Sequence, residues 1–200
     1  IGDNTDLAPS ALSIRLRMEL ELLLKSKYWK NALKNLQDCG GLTIIDSKLQ
    51  NDERLIKKIL IAEKSKIDPL IALVYESENP IYLAKRLHLN QQQIEEIEGA
   101  CQLNKYLKDI KANHLYKNWP PSKWTSILET INVNESCFIL EIYKENPLKE
   151  YLKSWLFNWK NIKSPITGDN LIAKGWKPGA EIGIEIKRQR MKLIDQTIIY

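Results

Sequence analysis

An all-α fold is predicted, on three observations. Apolar residues recur at three- and four-residue spacing along nearly the whole chain. Cap residues, prolines and glycines stand where such runs should begin and end. No segment sustains period-two alternation between turn signals, and no repeat of fixed period occurs. Ile182, Ile184 and Ile186 do alternate, but Pro178-Gly179 before them and the uninterrupted run after them favour a helix.

The elements follow in order. Leu12, Leu16, Leu20, Leu23 and Leu24 give one apolar stripe, with Pro9 and Ser10 as its start. A second helix carries Trp29, Leu33 and Leu36 and ends at Gly40-Gly41, since glycine accepts the left-handed conformation. A third surrounds Ile56, Ile59 and Leu60. Asp68-Pro69 then supplies an N-cap and a first-turn proline for a helix burying Leu70, Leu73 and Val74. After Pro80 a short helix runs to Leu87. Asn90 caps a long one, with Gln93 placed for a capping box and Ile94, Ile97, Cys101, Leu107 and Ile110 on its inner side.

Trp119-Pro120-Pro121 is the clearest break, so two lobes are expected to meet near residues 115–122. Ser122 would cap the next helix, which buries Trp124, Ile127 and Leu128. Another follows Asn134 with Phe138, Ile139 and Ile142. Pro147 opens the most amphipathic stretch, Leu148, Tyr151, Leu152, Trp155, Leu156 and Trp159. Tryptophans four residues apart fit a core better than a stacking platform for bases; if exposed, they would suit a protein-binding scaffold instead.

Composition narrows the class. The chain has 44% hydrophobic and 28% charged residues and no apolar run long enough to cross a membrane. Ile1 to Ser10 is polar and acidic, with no sign of export. Cys39, Cys101 and Cys137 are odd in number and far apart, and His88 and His114 stand alone. That pattern leaves no zinc or other metal site and reads as buried free thiols in a reducing cytoplasm. Residues 1–100 carry 14 Lys and Arg against 15 Asp and Glu; residues 101–200 carry 16 against 10. All the excess positive charge, a net of +6 against −1, is in the second half. Such asymmetry suits an anionic partner, although a lysine-rich composition alone would also produce it.

The sharpest local signal is the run Pro165-Ile166-Thr167-Gly168-Asp169-Asn170-Leu171-Ile172-Ala173-Lys174-Gly175-Trp176-Lys177-Pro178-Gly179, continuing Ala180-Glu181-Ile182-Gly183. It reads as a tight helix–turn–helix. Thr167 or Asp169 caps a short helix, Gly175 ends it, and Pro178 pre-sets the first turn of a longer one. Gly183 would let another element approach the backbone closely.

This passage resembles the end of bacterial CCA-adding tRNA nucleotidyltransferases and their poly(A) polymerase relatives, which carry a TGxDLIxxGxxPGPxIG stretch and then LDG. The departures are Ala180 in place of the second proline, and Gln196 after Leu193-Ile194-Asp195 where glycine is usual. Arg15-Leu16-Arg17-Met18-Glu19-Leu20 is similar to the family's RIxxEL helix, which makes Arg15 and Glu19 a neck-like i,i+4 pair. Ala32-Leu33 through Cys39-Gly40-Gly41-Leu42, and Leu83-Ala84-Lys85-Arg86-Leu87 with Asn90, match further segments in order. The resemblance implies a multi-helix elongated array: neck-like helices over 1–65, body-like helices over 66–120, and body/tail-like helices over 121–200 ending in the helix–turn–helix at 164–195.

The resemblance also implies a cytoplasmic chain that holds tRNA or other RNA. A catalytic head in the same polypeptide would bind Mg2+ and nucleoside triphosphates and add nucleotides to the RNA 3′ end. These 200 residues contain no Asp-x-Asp pair to hold the metals, so no residue is assigned to catalysis and no cofactor to this chain. RNA binding is expected on Lys174, Lys177, Lys187, Arg188, Arg190 and Lys192, by contacts to phosphate and sugar. The unpaired amides at the start of the last helix would add a seat for phosphate. The alternative for these cations is a solvated face opposite Ile182, Ile186 and Leu193. Lys105, Lys108 and Lys111, with Asp109 among them, form a weaker second basic face.

Overall fold

A computed structural model describes residues 10–113, 115–131, 134–142 and 146–197; Pro9 and His114 lie outside them. Among the described residues the chain is all-α, with twelve α-helices, two short 3-10 helices and no strand. It divides into two compact units, Ile1–Gln102 and Leu103–Tyr200.

The first unit contains α1 (Ser10–Lys25), α2 (Trp29–Asp38), α3 (Gly41–Ile45), α4 (Glu53–Lys64), α5 (Pro69–Tyr75), α6 (Pro80–Arg86) and the first part of α7 (Gln91–Ala112). Polar side chains start most of them. Asp52, Asp68 and Asn79 accept from the backbone N–H groups of Leu55, Leu70 and Tyr82. Asn90 and Gln93 bond reciprocally, as a capping box requires. Every residue from Leu70 to Tyr75 is buried, and α1, α4 and α6 pack on α5. Lys58 is buried too, with its ammonium paired to Glu76 and lying 4.8 Å from the centre of the Tyr75 ring.

Three expectations for this unit need correction. On α1 the expected stripe is buried at Leu20 and Leu24 and half-buried at Leu16 and Leu23, with Ser13 also buried, but its first residue, Leu12, is exposed along with Ile14, Met18 and Leu22. The helix therefore carries apolar side chains outside the stripe as well, and periodicity does not show where the covering begins. Among the described residues α1 carries an ion pair between Arg17 and Glu21 at 3.5 Å, not between Arg15 and Glu19, which are both exposed and do not pair with each other. Arg17 also donates to the His88 carbonyl, which holds its side chain down. The third correction is Cys39, whose thiol is exposed; only Cys137 is buried, and Cys101 is half-buried.

The second unit holds the rest of α7, α8 (Pro121–Thr130), α9 (Glu135–Ile142), α10 (Lys149–Phe157), α11 (Gly168–Ala173) and α12 (Ala180–Asp195). Its core is aromatic. Trp124, Phe138, Trp155 and Trp159 are buried with Leu103, Leu107, Leu128, Leu152 and Ile194. Trp124 stacks on Tyr151 at 4.7 Å, and Phe138 on Trp155 at 4.5 Å. Full burial of rings this size is the largest apolar contribution available to a small unit. With Trp155 and Trp159 both inside, the feature that would have supported a scaffold is not met.

The units divide inside α7, not at Trp119-Pro120-Pro121. Ile97 and Ala100 of that helix are buried in the first unit, while Leu103, Leu107 and Ile110 join the second core. The prolines interrupt the backbone, but Trp119 lies 5.3 Å from Trp124 within the second unit. A chain break and a core boundary are different things: here the cores divide at Gln102, inside α7, and the prolines come only at 120 and 121, after that helix has ended.

Candidate nucleic-acid interface

The sequence-predicted site lies on α11, α12 and the turn between them. Thr167, not Asp169, caps α11: its hydroxyl accepts from Asn170 N–H at 3.3 Å, and its own N–H donates to Asn170 Oδ1 at 3.0 Å. At the other end Gly175 has φ +89°, where a side chain would be strained. Its N–H donates to Ile172 O at 2.9 Å, and Trp176 N–H reaches back to Leu171 O at 3.1 Å. This pair of bonds is a Schellman motif, so both ends of the short helix are closed by their own residues.

The start of α12 departs from expectation. Gly179 is the N-cap, with extended backbone and no side chain to offer, so Pro178 precedes the helix instead of occupying its first turn. Gly183 has open space around its Cα, so no element approaches there. At Gly168 an added Cβ would make ordinary van der Waals contact with Ile182, 3.6 Å away.

The six predicted cations separate into three kinds. Arg190 is engaged by the fold. Its Nε–H donates to Ile162 O at 2.6 Å and its Nη2 to Lys160 O and Trp159 O at 3.3 and 3.5 Å. Its Nη1 bonds Glu129 at 2.7 Å. A guanidinium with three backbone carbonyls and a carboxylate around it is not available to phosphate. Arg188 is exposed, but its fork is held by both oxygens of Glu185 at 2.6 Å. That hydrogen bond, helped by a second one from Gln189, lowers the Glu185 carboxyl to about 2, so it stays ionised at neutral pH. The side chains of Lys174, Lys177, Lys187 and Lys192 are exposed, with no hydrogen bond or ion pair to other described residues, although Lys192 lies near enough to help hold the Glu185 carboxyl ionised. Four of the six thus present exposed ammonium groups to an anion.

Two features here went unread. Asp195 accepts from Ser122 N–H at 2.8 Å and so closes the start of α8 from the far end of α12, the role expected of Ser122 itself. The predicted inner face is also rotated: Ile194 is fully buried while Leu193 is exposed. Nothing local in the sequence announces either, because both depend on α8 and α12 packing together. Trp176 is also exposed, between Lys174 and Lys177.

Elsewhere, Lys105, Lys108 and Lys111 are exposed on α7, as is Asp109. In the first unit a cleft of about 640 Å³ is lined by Leu24, Lys25, Glu63, Lys66, Ile67, Asp68 and Pro69. Its two lysines are matched by two carboxylates, so its charge does not mark it for a polyanion. Among the described residues no three His, Cys, Asp or Glu side chains come together where they could hold a metal ion. No helix among them is long and apolar enough to cross a membrane. Comparison with protein-family models, curated proteins and solved structures gave no match for this chain.

Proposed function

We propose that the chain is the RNA-holding helical region of a template-independent nucleotidyltransferase of the CCA-adding or poly(A) polymerase kind, and that it carries no catalytic residue of its own. The observation that carries this reading is the 165–183 passage. Its residues resemble the family's ending, and it folds as a closed helix–turn–helix with Lys174 and Lys177 exposed at the turn, while Lys187 and Lys192 are exposed farther along α12. Lys174 and Lys177 would engage RNA at the turn, and Lys187 and Lys192 along α12. Exposed ammonium groups on long stems suit phosphates of varied position, as needed for a partner recognised by shape. Mg2+ and nucleoside triphosphates belong to the catalytic head that the resemblance implies.

The test is binding of unfractionated tRNA and of several single tRNA species by the 200-residue chain. Replacing Lys174, Lys177, Lys187 and Lys192 together with glutamate should abolish detectable binding to all of them alike, with the thermal midpoint kept. Unchanged affinity would remove this face from the account. Loss for one tRNA alone would argue for base recognition instead.

A further inference from the structure

We infer that Trp176 is a stacking platform for an unpaired base of the bound RNA, held between the phosphate contacts of Lys174 and Lys177; the inference rests on the RNA-holding role above and names the feature of the RNA that this turn meets.

The argument starts from three helix ends closed in the same way. After α4 and α6 the backbone enters the left-handed region at Lys66 (φ 59°) and His88 (φ 52°), as it does at Gly175 after α11. In each case the next N–H bonds back across the turn: Ile67 to Ala62 O, Leu89 to Ala84 O, and Trp176 to Leu171 O. The residue at that position ordinarily tucks an apolar side chain against the helix it closes. Ile67 and Leu89 do so and are 7% and 5% exposed. Trp176 occupies the same position with the largest side chain available, and 38% of it faces solvent.

An aliphatic residue would close the turn equally well, as Leu89 does, so closure alone does not explain an indole there. Its surroundings match what single-stranded nucleic acid requires. Both neighbouring lysines are exposed and free of carboxylates. The backbone beneath is fixed by the bonds from Lys174, Gly175 and Trp176 to Leu171 and Ile172, so the ring is presented without first ordering a loop. An aromatic face flanked by cations binds unstacked bases with little regard to sequence, since every base has a π-face. A base within a duplex is stacked on its neighbours and cannot use it.

The experiment compares two labelled probes on the whole chain: an oligoadenylate strand and a blunt RNA duplex with the same number of phosphates. Trp176→Leu keeps an apolar residue to close the turn and removes the π-face. It should weaken the single strand by about 5- to 100-fold and leave the duplex and the salt dependence unchanged. Trp176→Phe should retain most of the single-strand affinity. Lys174→Gln with Lys177→Gln should weaken both probes and flatten the salt dependence. Unchanged single-strand binding by Trp176→Leu, with the lysine pair still effective, overturns the inference. So does an equal loss on both probes, which would mean that the ring only shapes the turn. If the parent chain binds neither probe, the RNA-holding role itself fails, an outcome visible before any variant is made.

Discussion

Arg190 places its guanidinium against the carbonyls of Trp159, Lys160 and Ile162 and the carboxylate of Glu129. Those carbonyls belong to a 3-10 turn and the extended link after it, where Trp159 O also accepts from Ile162 N–H. Arg188, two residues earlier, is half-exposed and answers only to its own helix neighbour Glu185. A helical wheel treats the two as similar surface cations; the difference appears only when α12 packs beside the 159–162 segment. Arg190→Ala should therefore cost roughly 2–3 kcal/mol in urea unfolding, and Arg190→Lys should recover little of it, because lysine lacks the fork. Arg188→Ala should leave the unfolding midpoint nearly unchanged. A free-energy loss at position 190 no larger than at 188 would contradict the assignment.

At the scale of the element, what was legible was local chemistry. Asp68 before Pro69, Asn90 with Gln93, and Gly175 are legible, and the cap of α11 is narrowed to Thr167 or Asp169, because a cap or a left-handed turn is decided within a few residues. The five-residue α3 was missed, since one turn is too short to show a period. On α1 the stripe holds except at Leu12, which is exposed like Ile14, Met18 and Leu22, because period alone does not show where along a helix its neighbours begin to cover it. Two glycines in the candidate site give the sharpest element-scale contrast. At Gly175 the φ of +89° makes alanine unfavourable by about 1–2 kcal/mol. At Gly183, the fourth residue of α12, with open space where a Cβ would go, alanine should stabilise by about 0.5–1 kcal/mol. Chemical denaturation of the two single variants should move in opposite directions; the same sign for both would mean that one of the two backbone conformations is misjudged.

At the scale of the molecule, the all-α class follows from periodicity, whereas the two lobes expected from the Trp119-Pro120-Pro121 break divide elsewhere, inside α7. A continuous helix such as α7 can hand its apolar residues from one core to another with no punctuation at the crossing. Charge behaved similarly. The excess of Lys and Arg in residues 101–200 was visible as a number, yet which cations are free depended on the partners that folding supplies. Of the six predicted for RNA, Arg188 and Arg190 are occupied, and four lysines remain around Trp176 and along α12. The account therefore makes its central claim about those four.

The most direct measurement is the salt dependence of tRNA affinity for the parent chain and for the variant with all four lysines changed to glutamine. Each phosphate contact contributes about 0.7–0.9 to the slope of log affinity against log salt. The account predicts a steep parent slope that falls by roughly 3 in the quadruple variant, with unchanged stability. A parent chain that binds tRNA with the same slope as the variant, or does not bind tRNA at low salt, would contradict it.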